Sequence, residues 1–149
     1  IPDEDFVRLK DMYPESGEYL HRNLQLALPV YSLVSETALM TAFSNDQVAD
    51  LCFAQQVMGY GREGDILIVL STSGNSKNVL FASQIAHFKG MAVIALTGSK
   101  GGAIRGLADV LINVPSDITY RIQEYHLPVY HAMCAAVENE FFSTEDQDI

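Results

Sequence analysis

Residues 66–76 read Ile-Leu-Ile-Val-Leu-Ser-Thr-Ser-Gly-Asn-Ser, an unbroken apolar run that ends abruptly in small polar residues. Such a run of large apolar residues is typical of a strand buried on both faces of a parallel sheet. The polar residues 71–76 are typical of a turn that leads into a helix. The stretch therefore predicts a strand, a turn and the start of a helix.

The same pattern continues downstream. Residues 77–89 place their apolar side chains at helical spacing, and the apolar segment 92–96 predicts a second strand. Strand, turn, helix and strand fit within about 35 residues, the length of one βαβ unit. A glycine-rich turn at 97–102, a short helix at 103–108 and a third strand at 109–114 follow. We therefore predict an α/β fold with a parallel sheet.

The remaining elements are less regular. Residues 1–27 are polar and predict a surface excursion with short helical pieces at 6–12 and 18–26, and residues 28–33 predict a short strand. Helices are predicted at 37–43, from a cap at Asp46 to about residue 58, and at 119–142, where Pro128 should bend the helix. We expect a single domain over residues 1–149, with an acidic tail at 143–149.

Charge and cysteine usage exclude several functional classes. Asp and Glu number 19 against 9 Lys and Arg, so the formal net charge is −10 and polyanions such as nucleic acid are poor partners. No apolar run approaches the roughly 18–20 residues that a membrane helix needs. Cys52 and Cys134 form no metal-binding spacing. These features predict a cytoplasmic protein that binds neither nucleic acid nor membrane.

The turn at residues 71–76 is the first candidate site, because ligands of open α/β sheets bind where strands end. Its hydroxyls, Ser71, Thr72, Ser73 and Ser76, would face an anion together with the free amides of the helix start. This chemistry suits a phosphate monoester. The same residues also suit a plain turn in which Ser or Asn caps the helix. The second turn offers Lys100, but its glycines favour a purely geometric role.

A third candidate lies on the last predicted helix, where residues 121–131 hold a glutamine, a glutamate and two histidines. Such groups serve in acid–base catalysis or as metal ligands. Gln123 and His131 are separated by about 12 Å of helical rise, so one metal ion could take both only through a bend or through two subunits. For His126 a structural hydrogen bond is the simpler interpretation.

These motifs together are recognisable. The segments STSGNS, AVIALTGSKGG, ADVLINVP and RIQEYHLPVYH, within about residues 43–142, closely resemble the sugar isomerase (SIS) domain, and within it the bacterial phosphoheptose isomerases. The resemblance implies a three-layer α/β/α sandwich with a five-stranded parallel sheet and a homotetramer with active sites at subunit interfaces. It also implies a phosphorylated sugar substrate, with interconversion of sedoheptulose 7-phosphate and glycero-manno-heptose 7-phosphate.

The resemblance also implies roles for individual residues. Ser71, Thr72, Ser73 and Ser76 match the family's sugar-phosphate ligands. Gln123 matches a glutamine that contacts substrate and metal, and His131 matches the catalytic histidine, which is also a zinc ligand. Glu36, in Ser35-Glu36, stands where the family has an aspartate that contacts substrate, but it is one methylene longer.

Two family features do not occur in these 149 residues: a GNGGS-like glycine loop, and a helix that carries a histidine and the glutamate general base. In the family both precede the point that corresponds to Ile1. We therefore expect an N-terminally incomplete SIS domain that lacks its first strand, turn and helix.

Two other functions fit the same motifs. One is isomerisation of a different phosphosugar. The other is a non-catalytic SIS module that binds sugar phosphates or a protein partner as a regulator. Because such a module would not need both Gln123 and His131, we expect an aldose–ketose isomerase.

Overall fold

The computed structural model describes residues 3–142, so the predicted acidic tail at 143–149 lies outside the described residues. These residues form six α-helices, three strands and two short 3₁₀ turns. Within that range no helix combines the length and the apolarity needed to cross a membrane. In chain order the elements are α1 (Asp3–Met12), α2 (Gly17–Asn23), α3 (Thr37–Asp46), a 3₁₀ turn (Ala49–Leu51), α4 (Cys52–Tyr60), β1 (Ile66–Leu70), α5 (Lys77–Phe88), β2 (Ala92–Thr97), a 3₁₀ turn (Ala103–Gly106), β3 (Val110–Asn113) and α6 (Thr119–Phe142).

The described residues divide into two compact units, one made of residues 3–31 with 139–142 and the other of Ser32–Glu138. In the first unit, α1 packs against α2. The rings of Phe6 and His21 stack with their centroids 3.8 Å apart. A β-carbon on Gly17 would lie 2.7 Å from the Cα of Lys10, so the two helices meet at a position that only glycine fits.

The second unit holds a parallel sheet in the order β1-β2-β3, in which Ile68 pairs with Ile94 and Ile94 with Val110. Helices α4 and α5 pack on one face of this sheet. The core at that interface consists of buried apolar residues, chiefly Val57, Leu67, Val69, Ala82, Ala86, Val93 and Ala95. The predicted βαβ unit and the α/β class with a parallel sheet are confirmed.

The described residues form three of the four strands predicted within this chain, and the five-stranded sheet that the resemblance implies includes a first strand that was expected to be absent here. The burial of the sheet differs from the prediction. On the face of β1 opposite α5, Ile66, Ile68 and Leu70 remain 58%, 51% and 49% exposed. The expected burial of this strand on both faces is therefore wrong in the described part of the chain, because α5 covers one face whereas α6 borders the other face only at Leu70, across an open cleft.

Three local predictions are also wrong. Residues 28–33 form no strand, and Val30 in their middle is 85% exposed, so no sheet partner holds this segment extended. Asp46 does not start a helix but is the last residue of α3, because the chain turns at Ala49–Leu51 before α4 begins at Cys52. The short helix predicted at 103–108 is a 3₁₀ turn of four residues.

Candidate functional site

The three strands end at the same edge of the sheet because they run parallel. Residues 71–76 follow β1, residues 98–106, which include the second 3₁₀ turn, follow β2, and residues 114–118 join β3 to α6. We call the first two segments the Ser71 turn and the Lys100 turn. This edge is where open α/β sheets bind ligands.

The Ser71 turn brings its hydroxyls together. Ser71 is 6% exposed, and its Oγ lies 3.1 Å from the Oγ of Ser76. The backbone amide of Asn75 donates to the Oγ of Ser73 at 3.2 Å. Gly74 has a φ of +66°, which lets the chain reverse here. The turn therefore presents hydroxyls and the amino end of α5 around one concave stretch of backbone.

The Lys100 turn packs directly against the Ser71 turn. The amide of Ile104 donates to the carbonyl of Gly74 at 2.9 Å, and the amide of Gly98 donates to the carbonyl of Thr72 at 3.1 Å. The side chain of Asn75 accepts a further hydrogen bond from the amide of Ala103 at 2.9 Å. Backbone contacts this close require glycine, so the predicted geometric role of the glycines in the Lys100 turn is confirmed.

Two clefts open on either side of the Ser71 turn, and Thr72 lines both. The first has a volume of about 290 Å³, and Lys100 and Asp117 face it; we call it the Lys100 cleft. The second has a volume of about 280 Å³ and lies beneath α6, where Gln123 lines it; we call it the Gln123 cleft. Both volumes lie just below the roughly 300 Å³ at the lower end of the range for small-molecule sites.

Helix α6 contributes three polar or aromatic residues to the Gln123 cleft: Gln123, His126 and Tyr130. His126 is 3% exposed, and its Nε2 lies 3.3 Å from the carbonyl oxygen of Thr97. Because a carbonyl oxygen only accepts, this nitrogen carries the proton. The hydrogen bond ties α6 to the end of β2, which is the structural role expected for this histidine.

The remaining predicted residues lie elsewhere. His131 is exposed and lines neither cleft; its ring lies beside that of Tyr130, with 5.1 Å between centroids. Glu36 is also exposed, precedes α3 and lines neither cleft. The structure thus brings Gln123 next to Ser71 and Thr72, but within one chain it does not bring His131 or Glu36 to them.

The side chains of the described residues also bear on a metal site. Over residues 3–142 no three side chains of His, Cys, Asp or Glu come together as a metal-binding group. Gln123 and His131 sit on one continuous helix, about 12 Å apart along its axis. The described residues of a single chain therefore do not fit a bound metal ion.

Asp117 is a residue of this edge that the sequence analysis missed. The Oγ of Ser99 donates to its carboxylate, and Lys100 Nζ lies 3.6 Å from its Oδ2. The Ser99 hydroxyl and the Lys100 ammonium lower the pKa of Asp117, so the carboxylate stays ionised at neutral pH. Its position just after the third predicted strand was the available signal.

Comparison with known proteins identifies one family. The model of the SIS domain matches residues 8–98. A phosphoheptose isomerase of Shewanella loihica is 44% identical over 123 residues, which is 80% of this chain and 62% of the relative. A solved phosphoheptose isomerase of Francisella tularensis superposes with a TM-score of 0.72 at 41% identity, covering 74% of this chain and 60% of that one. Another, from Neisseria gonorrhoeae, gives 0.70 at 47% identity, with coverage of 72% and 61%. The chain thus spans about three fifths of the length of these relatives.

Proposed function

The chain belongs to the SIS domain family, and from this membership we propose that it is a sugar-phosphate isomerase that converts sedoheptulose 7-phosphate to glycero-manno-heptose 7-phosphate. One observation carries the proposal: a single cleft brings the hydroxyls of Ser71 and Thr72 beside the side-chain amide of Gln123. Hydroxyls suit the phosphate, and an amide suits the hydroxyl groups of a sugar. The names of the relatives support the substrate class.

In this proposal the phosphate is bound by Ser71, Thr72, Ser73 and Ser76. Their hydroxyls donate to its oxygens, and the free amides at the start of α5 add further donors and a partial positive charge. The hydrogen bonds from the Lys100 turn hold the Ser71 turn in shape before the anion arrives. Binding then requires little ordering of backbone, which favours affinity.

The proposed reaction moves two protons and no heavy atom. A base removes a proton from C1 of the ketose, which gives an enediolate across C1 and C2. A proton is returned to C2 while the hydrogen on O1 passes to O2, so that C1 becomes the aldehyde carbon. His131 is the proposed acid–base group, opposite a glutamate on the upstream segment that the family resemblance implies.

Since His131 lines neither cleft of its own chain, we place it in the site of a neighbouring copy within a homotetramer. An interface site of this kind is possible because symmetric assembly repeats each contact in every copy. Zinc, which the family resemblance implies, would then be held by an assembly and not by one chain. The zinc content of the purified assembly can be measured directly, and we expect Gln123→Ala to lower the amount of zinc bound per tetramer.

Activity is tested on the full-length protein with sedoheptulose 7-phosphate and added zinc. We expect turnover above background, and a loss of at least about 100-fold in kcat for His131→Ala with sugar-phosphate binding retained. Full activity in His131→Ala would contradict the assigned role. Binding of the sugar phosphate without any turnover in the wild type would instead identify a regulatory binding module.

Complementation tests the shared site. Tetramers assembled from equal amounts of Gln123→Ala and His131→Ala chains contain both native residues in about a quarter of their sites if the two residues come from different copies. Activity should therefore return to about a quarter of wild type. If both residues serve the same copy, no mixed site is complete and no activity returns.

We also propose that the protein works in the cytoplasm. Its two cysteines, Cys52 and Cys134, are free thiols, which is typical of a reducing compartment. Cell fractionation with a periplasmic marker tests this, and recovery with that marker would contradict it.

A further inference from the structure

The Lys100 cleft places opposite charges beside the Ser71 turn. Thr72, Ser73, Lys100 and Asp117 all line this cleft. Among the described residues that line either cleft, Lys100 is the only lysine or arginine. The cleft therefore offers a positive charge next to hydroxyls already proposed to hold a phosphate.

A phosphate monoester at the Ser71 turn needs more positive charge than that turn supplies. The phosphate carries about −1.5 to −2 charges at neutral pH. Hydroxyls are neutral, and a helix start contributes about +0.5 of an elementary charge. The chain as a whole carries −10. A cation within reach of the turn would make up the difference.

Lys100 is held loosely at rest. Its Nζ lies 3.6 Å from Asp117 Oδ2, and the two side chains are 82% and 55% exposed. Exposed ion pairs of this length are weak. Asp117 itself is fixed by the hydroxyl of Ser99 on its other oxygen. The lysine is therefore the partner free to move, and a dianion in the cleft competes well for it.

We propose that Lys100 is the cationic contact of the bound phosphate and that Asp117 is its resting counter-ion, which gives up the lysine when the anion binds. Lys100 is thus a binding residue, and Asp117 is a positioning residue that acts through it. This deepens the proposed function and rests on its placement of the phosphate at the Ser71 turn.

Inorganic phosphate is the probe, because its binding does not depend on isomerase activity. Calorimetric titration of the full-length protein at low salt should show Lys100→Gln weakening phosphate binding by about five- to tenfold. Asp117→Asn keeps an acceptor for Ser99 but removes the competing charge, so it should tighten binding by about two- to fivefold. The double variant should bind no more tightly than Lys100→Gln alone.

The matched control is Arg62→Gln, which removes the same charge in the turn before β1, at the opposite edge of the sheet. It should change phosphate affinity by less than about twofold. Thermal unfolding of each variant shows whether it is folded. Raising the salt concentration should reduce the difference between wild type and Lys100→Gln.

The outcomes separate the two proposals. Equal affinity of Lys100→Gln and the control would overturn the role of Lys100 while leaving the isomerase proposal intact. A weakened Lys100→Gln with an unchanged Asp117→Asn would overturn the counter-ion role. Absence of phosphate binding in the wild type would overturn the role of Lys100, and the turnover assay with sedoheptulose 7-phosphate would still test the isomerase separately. Lys100-dependent phosphate binding without turnover would support Lys100 and refute the isomerase.

Discussion

Replacement of Gly74 by alanine tests whether the two turns of the site form one rigid unit. Gly74 has a φ of +66°, which side-chain-bearing residues rarely adopt. A β-carbon there would overlap the carbonyl oxygen of Gly101 and lie 2.6 Å from its carbonyl carbon. Both contacts are to backbone, so no flexible side chain can move aside. The Ser71 turn or the Lys100 turn must shift.

The cost has two parts. The left-handed backbone conformation costs a residue with a β-carbon about 1–2 kcal/mol. Forcing an extra carbon into a packed contact costs about 1–3 kcal/mol more. Gly74→Ala should therefore lower the free energy of unfolding by about 2–5 kcal/mol, a large share of the roughly 5–15 kcal/mol typical of a domain. Phosphate binding should weaken as well, because the turns separate.

Gly64→Ala is the matched control for urea unfolding. Gly64 has a φ of +85°, but nothing lies within 4 Å of a β-carbon built there. It should lose only the backbone part, about 1–2 kcal/mol, and leave phosphate binding unchanged. Equal losses in the two variants would refute the close packing of the two turns. So would a Gly74→Ala protein that binds phosphate as tightly as the wild type.

Three further predictions follow from single hydrogen bonds. Asn75→Ala removes the side-chain link between the two turns and should cost about 1–2 kcal/mol in urea unfolding, whereas Asn75→Asp, which keeps the acceptor, should cost less. The amide of Val93 and then the His87 side chain lower the pKa of Asp109. The ionised carboxylate therefore stabilises the fold above its ordinary pKa of 3.8, and this stabilisation is lost as the pH falls through the lower pKa of the folded state. In Asp109→Asn the free energy of unfolding should depend less on pH in that range. His126→Ala removes one of the two hydrogen bonds that the buried carbonyl of Thr97 accepts, the other being from the amide of Val114, and its loss should cost about 0.5–1.5 kcal/mol, part of which His126→Gln, with its amide donor, should recover.

Each of these predictions has a contradicting result. Asn75→Asp losing as much as Asn75→Ala would rule out the bond to the Lys100 turn. If the free energy of unfolding of Asp109→Asn falls with decreasing pH as steeply as that of the wild type, other carboxylates determine this acid dependence. Equal unfolding of His126→Gln and His126→Ala would show that packing of the ring, and not its hydrogen bond, holds α6.

Elements with strong local signals were predicted to the residue. Strand β1 (Ile66–Leu70) is a pure apolar run between two turns, and α6 (Thr119–Phe142) is a stretch of 24 residues without a glycine. Such patterns depend on residues that are close together in the sequence. Pro128 lies inside α6 and does not interrupt it. Propensity and periodicity suffice where no distant partner decides the outcome.

Where the outcome depends on distant partners, the sequence was less informative. The apolar residues 28–33 have strand composition, but a strand needs a neighbour to take its hydrogen bonds, and none holds this segment. The run in β1 likewise could not show that Ile68 would face no helix. The composition of a segment shows that its side chains can be buried, but the packing of the folded chain determines how much of their surface is buried.

The site also has some features that the sequence predicts and others that depend on packing between distant residues. The rule that ligands bind at the ends of parallel strands located the Ser71 turn, and applied to the third strand it would also have found Asp117. The close contact of the two turns and the two clefts beside Thr72 depend on packing that no spacing in the sequence encodes. Helical rise alone, however, already separated Gln123 from His131 by about 12 Å. The structure agrees, since Gln123 lines a cleft and His131 lines none. If both residues serve one reaction, a second copy of the chain must supply one of them, and the complementation of Gln123→Ala by His131→Ala measures that requirement directly.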